Sequence, residues 1–417
     1  MPFTIASTSK IGGRNTEMPS ADSLVVQRNT GFALTDAQQA ILDEADRFAA
    51  AELHPLQARM DNEEWWPAHV MPRLAAMGFL GITASAAHGG ADADIFTCGL
   101  ITQALARWNH AVALSYVAHE NLCLNNIARN ASPALAAHYL PRLCDGTAIG
   151  ALALTEPGAG SDALGAMATT ARREGDNYIL NGTKLYITNG PVADVVLVYA
   201  KTDKTAGAKG ISAFIVEKHF PGFTVAQKLD KMGFRGSPTA ELVFTDCRVP
   251  AENLVGAEDR GVAVVMSGLD LERAIVAMIN VGMAERAFAL ALEYARTREQ
   301  FGRKIGEFQL VQGKLADMFV QVETARSYCY TVLAACNDLP AGEGGRGDIH
   351  MRTAAAILYA AEACSRVCAD AVQIFGGAGY MRETEINRLY RAAKLLEIGA
   401  GTTEIRKLII AGELLRA

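Results

Sequence analysis

The chain has 417 residues, half of them hydrophobic and a fifth charged, with a net charge of −6 and a pI near 5.8. This describes a globular protein of two or three domains, and the acidic balance excludes a nucleic-acid binder, which presents a basic face. Eight scattered cysteines with no CxxC and no zinc-type Cys/His spacing point to buried, reduced thiols and no metal, and no apolar run reaches the roughly 20 residues that cross a bilayer.

In chain order, residues 1–30 are polar and rich in Ser, Thr and Gly, without the apolar stretch of a secretory signal. They read as a flexible extension. Lys10 and Arg14 precede the first acidic residue, which leaves a transit peptide as the alternative. The expected compartment is therefore the cytoplasm, or the mitochondrial matrix if that alternative holds. Thr35 and Gln38 carry the capping-box signature of a helix start. Residues 31–149 are Ala/Leu-rich with helical periodicity, punctuated by Pro67, Gly78, Gly89-Gly90 and Pro133, and predict a domain of about six helices.

After Gly150 the period falls to two. Tyr178 to Leu180, then Asn181-Gly182, then Lys184 to Thr188 read as a hairpin on a type I′ turn. Val195 to Tyr199, Ile211 to Val216 and Glu241 to Phe244 read as further strands. Residues 150–262 are expected to form a small antiparallel β domain. From 263 to 417 long helical segments return, broken at Phe301-Gly302, in the loop from Pro340 to Gly347 and at Phe375-Gly376-Gly377. The expected class is α+β, mainly α.

Four glycine-bearing breaks are candidates for chemistry. Leu154-Thr155-Glu156-Pro157-Gly158-Ala159-Gly160-Ser161-Asp162 offers close backbone approach to a flat or phosphorylated ligand, with the Thr155 and Ser161 hydroxyls at hand. It lacks the third glycine of a dinucleotide fingerprint and precedes strands, not a βαβ unit; an ordinary turn is the alternative. Arg298 to Gln309 sets basic residues and Phe301 at a helix break, suiting a pyrophosphate and a ring, or else a solvated loop. Gln373 to Tyr380 and Ile398 to Arg406 are the other two. In the long apolar segment Ser267 to Gly282, Leu269, Arg273, Val276 and Asn280 fall at helical spacing around Glu272. Taken locally, Glu272 reads as an ordinary first-turn glutamate, favoured there by the helix dipole.

These breaks, in this order across a helix–sheet–helix chain, resemble the acyl-CoA dehydrogenase family from Leu34 to the C-terminus. The resemblance implies an N-terminal helical domain, a middle β domain and a C-terminal four-helix bundle. It implies FAD as cofactor, an acyl-CoA substrate, an electron-transfer flavoprotein as electron acceptor, and a homotetramer. By the same resemblance Leu154, Thr155, Gly160, Ser161, Tyr186, Ile187 and Thr188 line the FAD from the β domain, and Thr402 and Glu404 approach it from the last helices. Arg298, Phe301, Gln309, Gln373, Gly376 and Gly377 match positions that reach the FAD of a neighbouring subunit. Ser161, Asp270, Arg273, Ala400 and Gly401 are the implied substrate contacts.

Many members of that family place a catalytic glutamate directly before the Gly-Thr of the fourth break, where this chain has Ala400. The isovaleryl-CoA type places it in the earlier helix, in a segment that Ser267-Gly268-Leu269-Asp270-Leu271-Glu272-Arg273 matches. Ala118 to Cys123 and Leu229 to Gly233 match that type as well. The resemblance thus implies Glu272 as the base, with the thioester carbonyl polarised by a flavin ribityl hydroxyl and by the backbone N–H of Glu272 or Ala400. The chain departs from the type at Met278-Ile279-Asn280, in place of Gly-Gly-Pro, and at Ala263, in place of a larger residue. If the small residues of that type make room for a branched acyl group, Met278 and Ile279 reshape it. A different acyl chain, a flavin oxidase or lyase on the same scaffold, and a non-catalytic acyl-CoA-binding relative stay open at this point.

Overall fold

The computed structural model describes residues 32–340 and 344–416, so the expectations for residues 1–30 lie outside the described residues. The capping box is present: Gln38 N donates to Thr35 Oγ1 at 3.2 Å and Thr35 N to Gln38 Oε1 at 3.0 Å, opening α1 (Asp36–Phe48). It is followed by α2 (Gln57–Glu63), α3 (Val70–Ala76), α4 (Ile95–Val117), α5 (Asn126–Asn130) and α6 (Pro133–Cys144). Helix α4 is mostly apolar and buried along nearly its whole length, as expected of a central helix, and it kinks at Asn109. It continues into a π-helical stretch, Ala118–Asn125, a widened geometry often found at functional sites.

The sheet contains β1 (Gly150–Ala153), β2 (Thr170–Glu174), β3 (Asn177–Thr188), β4 (Val195–Lys201), β5 (Ile211–Glu217), β6 (Phe223–Lys228), β7 (Thr239–Pro250) and β8 (Leu254–Val255). Its order is β6-β7-β3-β2-β4-β5-β8, with β1 also on β4. It is antiparallel except at β4, which takes β1 in parallel from Gly150↔Val195 onward and touches β2 in parallel at Thr170↔Lys201. The central strand β4 is buried on both faces. Val195, Leu197 and Tyr199 pack towards the helices and Val196, Val198 and Ala200 towards the opposite core, the period-two alternation of a strand.

The expected hairpin at Asn181-Gly182 is not formed. β3 runs straight through these residues, with a bulge against β7 between Leu180 and Gly182. Asn181 spends its side chain on Asp246, donating from Nδ2 to Oδ1 at 3.0 Å and accepting from Asp246 N at 2.9 Å. The turn falls earlier, at Gly175-Asp176, where Glu174 pairs with Asn177 and only Gly175 has positive φ (+60°), the type II′ pattern.

The chain then forms α7 (Gly261–Thr297), α8 (Gln309–Ala335), α9 (Gly347–Phe375), the short α10 (Gly377–Tyr380), α11 (Glu385–Ala393) and α12 (Thr403–Leu414). α9 packs along α7 and α8 and receives α12, completing a four-helix bundle, while α4 lies against α7. The α4–α7 contact is antiparallel and close: a Cβ on Gly268 would meet Asn126, and one on Gly282 would sit 2.3 Å from the Gln103 carbonyl. Met278 and Ile279 are fully buried in the core between the N-terminal helices and the bundle. All eight cysteines are buried free thiols. Among the described residues no helix is long and apolar enough to cross a membrane, and no group of side chains could hold a metal ion.

Candidate active site

Helix α7 begins at Gly261, so Glu272 lies about three turns in and not in a first turn. Its neighbours Ser267 and Gly268 look like a helix start in sequence, yet Val262 to Met266 extend the helix before them. The dipole no longer explains this carboxylate, and charged side chains are rarely placed inside a protein without a task. Along α7, Val262, Met266, Leu269 and Glu272 are half-buried and the helix is sealed beyond them from Arg273 to Ala289. On α4 and its π-helical continuation, Leu114 and Leu122 are half-buried in a run that is otherwise almost fully enclosed. Solvent access along α7 therefore ends at Glu272.

Burial pushes the Glu272 carboxyl up to about 7, with Arg273 and Arg406 pulling the other way. Tyr199, on the central strand β4, is close enough to sense Glu272; its hydroxyl is buried without a partner. The Asn126 carbonyl oxygen, beside Gly268, is likewise orphaned. Buried polar atoms without partners are rare and mark places where water or a ligand completes the bonding.

Glu272 is followed by Arg273, which with Asp270 and His350 forms a buried cluster. Asp270 Oδ1 lies 2.7 Å from His350 Nδ1 and 3.0 Å from Arg273 Nη1, and Asp270 Oδ2 accepts from Gly345 N at 2.7 Å. Both carboxylate oxygens of this implied substrate contact are thus committed to protein donors. Arg273 Nε reaches the Ala400 carbonyl at 3.4 Å. From the other side Arg406, fully buried, donates through Nη2 to the Leu396 carbonyl at 2.9 Å and to that of Gly399. The loop Gly399-Ala400-Gly401 is thereby held by two guanidinium groups. It needs holding: Ala400 has φ +57°, a left-handed conformation costly for a residue with a Cβ. Of the two backbone N–H groups expected as alternatives at the thioester carbonyl, only one is available. The Glu272 N–H belongs to the continuous helical ladder of α7, whereas that of Ala400 has no acceptor among the described residues.

The β-domain residues expected at the cofactor form one surface. Leu185 N donates to the Thr155 carbonyl at 2.9 Å, and buried Lys184 donates to the Leu154 carbonyl at 3.0 Å and to Glu156 Oε1 at 2.8 Å. These bonds press the Leu154–Ser161 loop against β3 beside Tyr186, Ile187 and Thr188. Leu154, Thr155 and Thr188 are half-buried, Tyr186 and Ser161 exposed, and the Ile187 side chain turns into the core. A Cβ on Gly160 would meet nothing within 4 Å, so the face above this loop is open. Thr402 spends its hydroxyl capping α12, accepting from Ile405 N at 3.3 Å, and Glu404 is exposed in the first turn of that helix.

Arg298, Phe301, Gln309, Gln373, Gly376 and Gly377 are all exposed. Stacking of Tyr294 on Phe375 at 4.1 Å ties the end of α7 to that of α9 and brings these six to one end of the bundle. Glu272 and Arg298 are 26 residues apart on and just past one helix, about 39 Å. The structure separates this group from the surroundings of Glu272.

A cleft of about 1060 Å³ opens between the start of α7, the end of α12, residues 344–350 and the loop before β5. Lys209, Arg260, Arg346 and Arg416 line it against only Asp259 and Glu413, and Glu413 is itself paired with Arg416 at 2.7 Å. Ala263 and Met266 form its α7 wall. Ala263 therefore belongs to this polar entrance, about 14 Å along the helix from Glu272. Sequence reasoning passed over His350, Arg406, Lys184 and Tyr199, and only the pairing of distant elements reveals them.

A mainly helical fold with an inserted sheet, an open loop surface on the β domain and a near-neutral glutamate narrow the class, and comparison with known proteins names it. Three family models match in succession: acyl-CoA dehydrogenase N-terminal domain over residues 35–147, middle domain over 151–247 and C-terminal domain over 259–415. The chain belongs to the acyl-CoA dehydrogenase family and is an FAD-dependent oxidoreductase. It is 44% identical to the mitochondrial isovaleryl-CoA dehydrogenase of Oryza sativa subsp. japonica, over 91% of this chain and 92% of that one. It is also 44% identical to the mitochondrial 2-methylacyl-CoA dehydrogenase of Solanum tuberosum, over 93% of each. Its fold superposes on butyryl-CoA dehydrogenase from Megasphaera elsdenii with a TM-score of 0.88 at 39% identity, covering 93% of this chain and all of that one. The residues present fit FAD: the open loop surface from Leu154 to Ser161 with Tyr186 to Thr188 would take its flat ring.

Proposed function

We propose that the protein oxidises a short or branched acyl-CoA thioester, isovaleryl-CoA-like, to the 2-enoyl-CoA. The observation that carries this reading is Glu272, a carboxylate poised near neutrality at the inner end of the open space, beside a loop whose own candidate position, Ala400, has no ionisable group. The cationic cleft suits the phosphates of coenzyme A. From Met266 the α7 stripe leads about 9 Å inward to Glu272, a path for the extended arm of the thioester. Beyond Glu272 the helix is sealed from Arg273 to Ala289, which leaves little room past it and favours a compact acyl group.

Glu272 takes the α-proton. A carboxyl held near 7 is a better match for a thioester α-proton than one at the ordinary 4.5. The Ala400 N–H donates to the thioester oxygen, where negative charge builds as the proton leaves. Bound FAD supplies the acceptor for the β-hydrogen and its electron pair. The names of the relatives, isovaleryl-CoA, 2-methylacyl-CoA and butyryl-CoA dehydrogenase, support a short or branched chain. We further propose an electron-transfer flavoprotein as the next electron acceptor, a homotetramer as the working assembly, and the cytoplasm as its place, or the mitochondrial matrix if residues 1–30 are a transit peptide.

The test is Glu272→Gln, checked to retain FAD, against a panel of acyl-CoA thioesters of varied length and branching. Losing a general base lowers flavin bleaching by roughly 10²–10⁴-fold. Placing Glu at Ala400 in that variant restores part of the rate if both positions face one α-carbon. Bleaching at near wild-type rate with every thioester that the parent oxidises would remove Glu272 from the mechanism.

A further inference from the structure

His350 stands in the first turn of α9 with one ring edge on Asp270 and the other on the cleft. The carboxylate can only accept, so at 2.7 Å it is the Nδ1–H of His350 that donates to Asp270 Oδ1. The 3.3 Å approach of Arg273 Nη1 to the same nitrogen is then a contact and not a second hydrogen bond. Asp270 passes this anchoring to Arg273, and Arg273 passes it to the Ala400 carbonyl. That last bond, at 3.4 Å, is the longest in the series and the most easily lost if Arg273 shifts. It is also one of the bonds fixing a loop whose Ala400 backbone is strained.

We propose that His350 is a positioning residue for the dehydrogenation: by fixing Asp270 from the cleft side it holds Arg273, and through it the Ala400 loop, in register with Glu272. The proposal rests on the function proposed above. The charged groups in contact with His350 are Asp270 and Arg273 from α7, and those that share its cleft are Arg346 before α9, Glu413 from α12, Arg416 just past it, and Lys209, Asp259 and Arg260. Of these only Asp270 takes a hydrogen bond from the ring.

Asparagine and glutamine separate the two edges of the imidazole. His350→Asn keeps a donor where Nδ1 stands and abandons the cleft; His350→Gln reaches towards the cleft and gives up the Nδ1 position. The expected result is that His350→Ala and His350→Gln lose on the order of 10–100-fold in kcat, the scale of a misplacement of about 1 Å. KM changes little, and His350→Asn recovers most of kcat. A second readout is the long-wavelength band formed with a 3-thiaacyl-CoA, whose α-proton can be removed but whose β-sulfur has no hydrogen to give. The band weakens in Ala and Gln and returns in Asn, at equal FAD content and melting temperature. Rescue by Gln and not Asn, or a rise in KM alone, overturns the assignment in favour of direct ligand contact. Unchanged kcat in His350→Ala, or losses that follow FAD content and melting temperature alone, overturn it as well. If the alanine variant does not fold, the Asn and Gln pair decides. A wild-type protein that neither bleaches nor forms the band with any thioester brings down the proposed function itself, an outcome told apart because it needs no variant.

Discussion

Arg406 is the largest of the fully buried side chains, and its Nε and Nη1 have no hydrogen-bond partner among the described residues. Burial, and then the repulsion of Arg273, lower its pKa to about 10, while Glu272 acts against both. A cation kept here, against its desolvation, favours the ionised form of Glu272, and that is the form able to accept a proton. The sign of the pH dependence follows. Activity falls as pH drops through about 7, where Glu272 becomes protonated. Arg406→Gln removes the cation while keeping an amide donor for the loop carbonyls, so Glu272 is protonated at higher pH. The acid limb of kcat/KM against pH is expected to move upward, and an unmoved limb would refute the electrostatic role. Little of this was legible in the sequence. Glu272 stood out because Ala400 cannot move a proton, but Arg406 lies 134 residues away, and although it closes the fourth glycine-bearing break nothing in the sequence ties it to Glu272.

At the scale of elements, the sequence conveyed period and missed partners. The alternation through Tyr178 to Thr188 correctly signals strand, yet Asn181-Gly182 suggested a turn because its usual role in hairpins is local. Here the dipeptide is a bulge that Asp246 on β7 completes, and a Cβ on Gly182 would lie 2.4 Å from Thr169 Oγ1. The same strand holds the first glycine-bearing loop by a side chain that sequence reading passed over. Lys184 and Glu156 are paired at 2.8 Å, 0% and 4% exposed, and Glu156 also accepts from Ala168 N at 2.6 Å and Thr169 N at 3.0 Å. Breaking a buried pair from one side costs roughly 3–5 kcal/mol. Burial already lowers Lys184 to about 8, so without its partner it sheds its proton and the loss falls near the lower end of that range. Glu156→Gln is therefore expected to lower stability by about 3 kcal/mol and to weaken FAD retention. Both are read by denaturant melting and by flavin absorbance after gel filtration. Unaltered stability and FAD content would show that the loop does not depend on this pair.

Across the whole molecule, the order helix–sheet–helix is visible in the shift of hydrophobic period, but how the three parts meet is not, because it depends on contacts such as Gly268 on Asn126 and Gly282 on Gln103. The far end of the bundle raises a further question of partnership. Phe301 is 93% exposed and Leu310 87%, near the exposed Arg298, Gln309 and Gln373 and the open Gly376-Gly377. Isolated apolar side chains on a surface are ordinary, whereas a cluster with basic residues and glycines at a chain reversal marks a place of contact. About 39 Å of helix separates Arg298 from Glu272, and the homotetramer proposed above would bring this end to the cofactor of a second copy. Phe301→Asp sets a charge in that contact without touching Glu272, Arg406 or the Leu154–Ser161 loop. If the assembly is as proposed, sedimentation shows a smaller particle and flavin absorbance shows less bound FAD, the two falling together as a function of protein concentration. A wild-type chain that sediments as a monomer with full FAD, or a Phe301→Asp variant that keeps both size and FAD, would leave this end of the bundle without a role in cofactor binding.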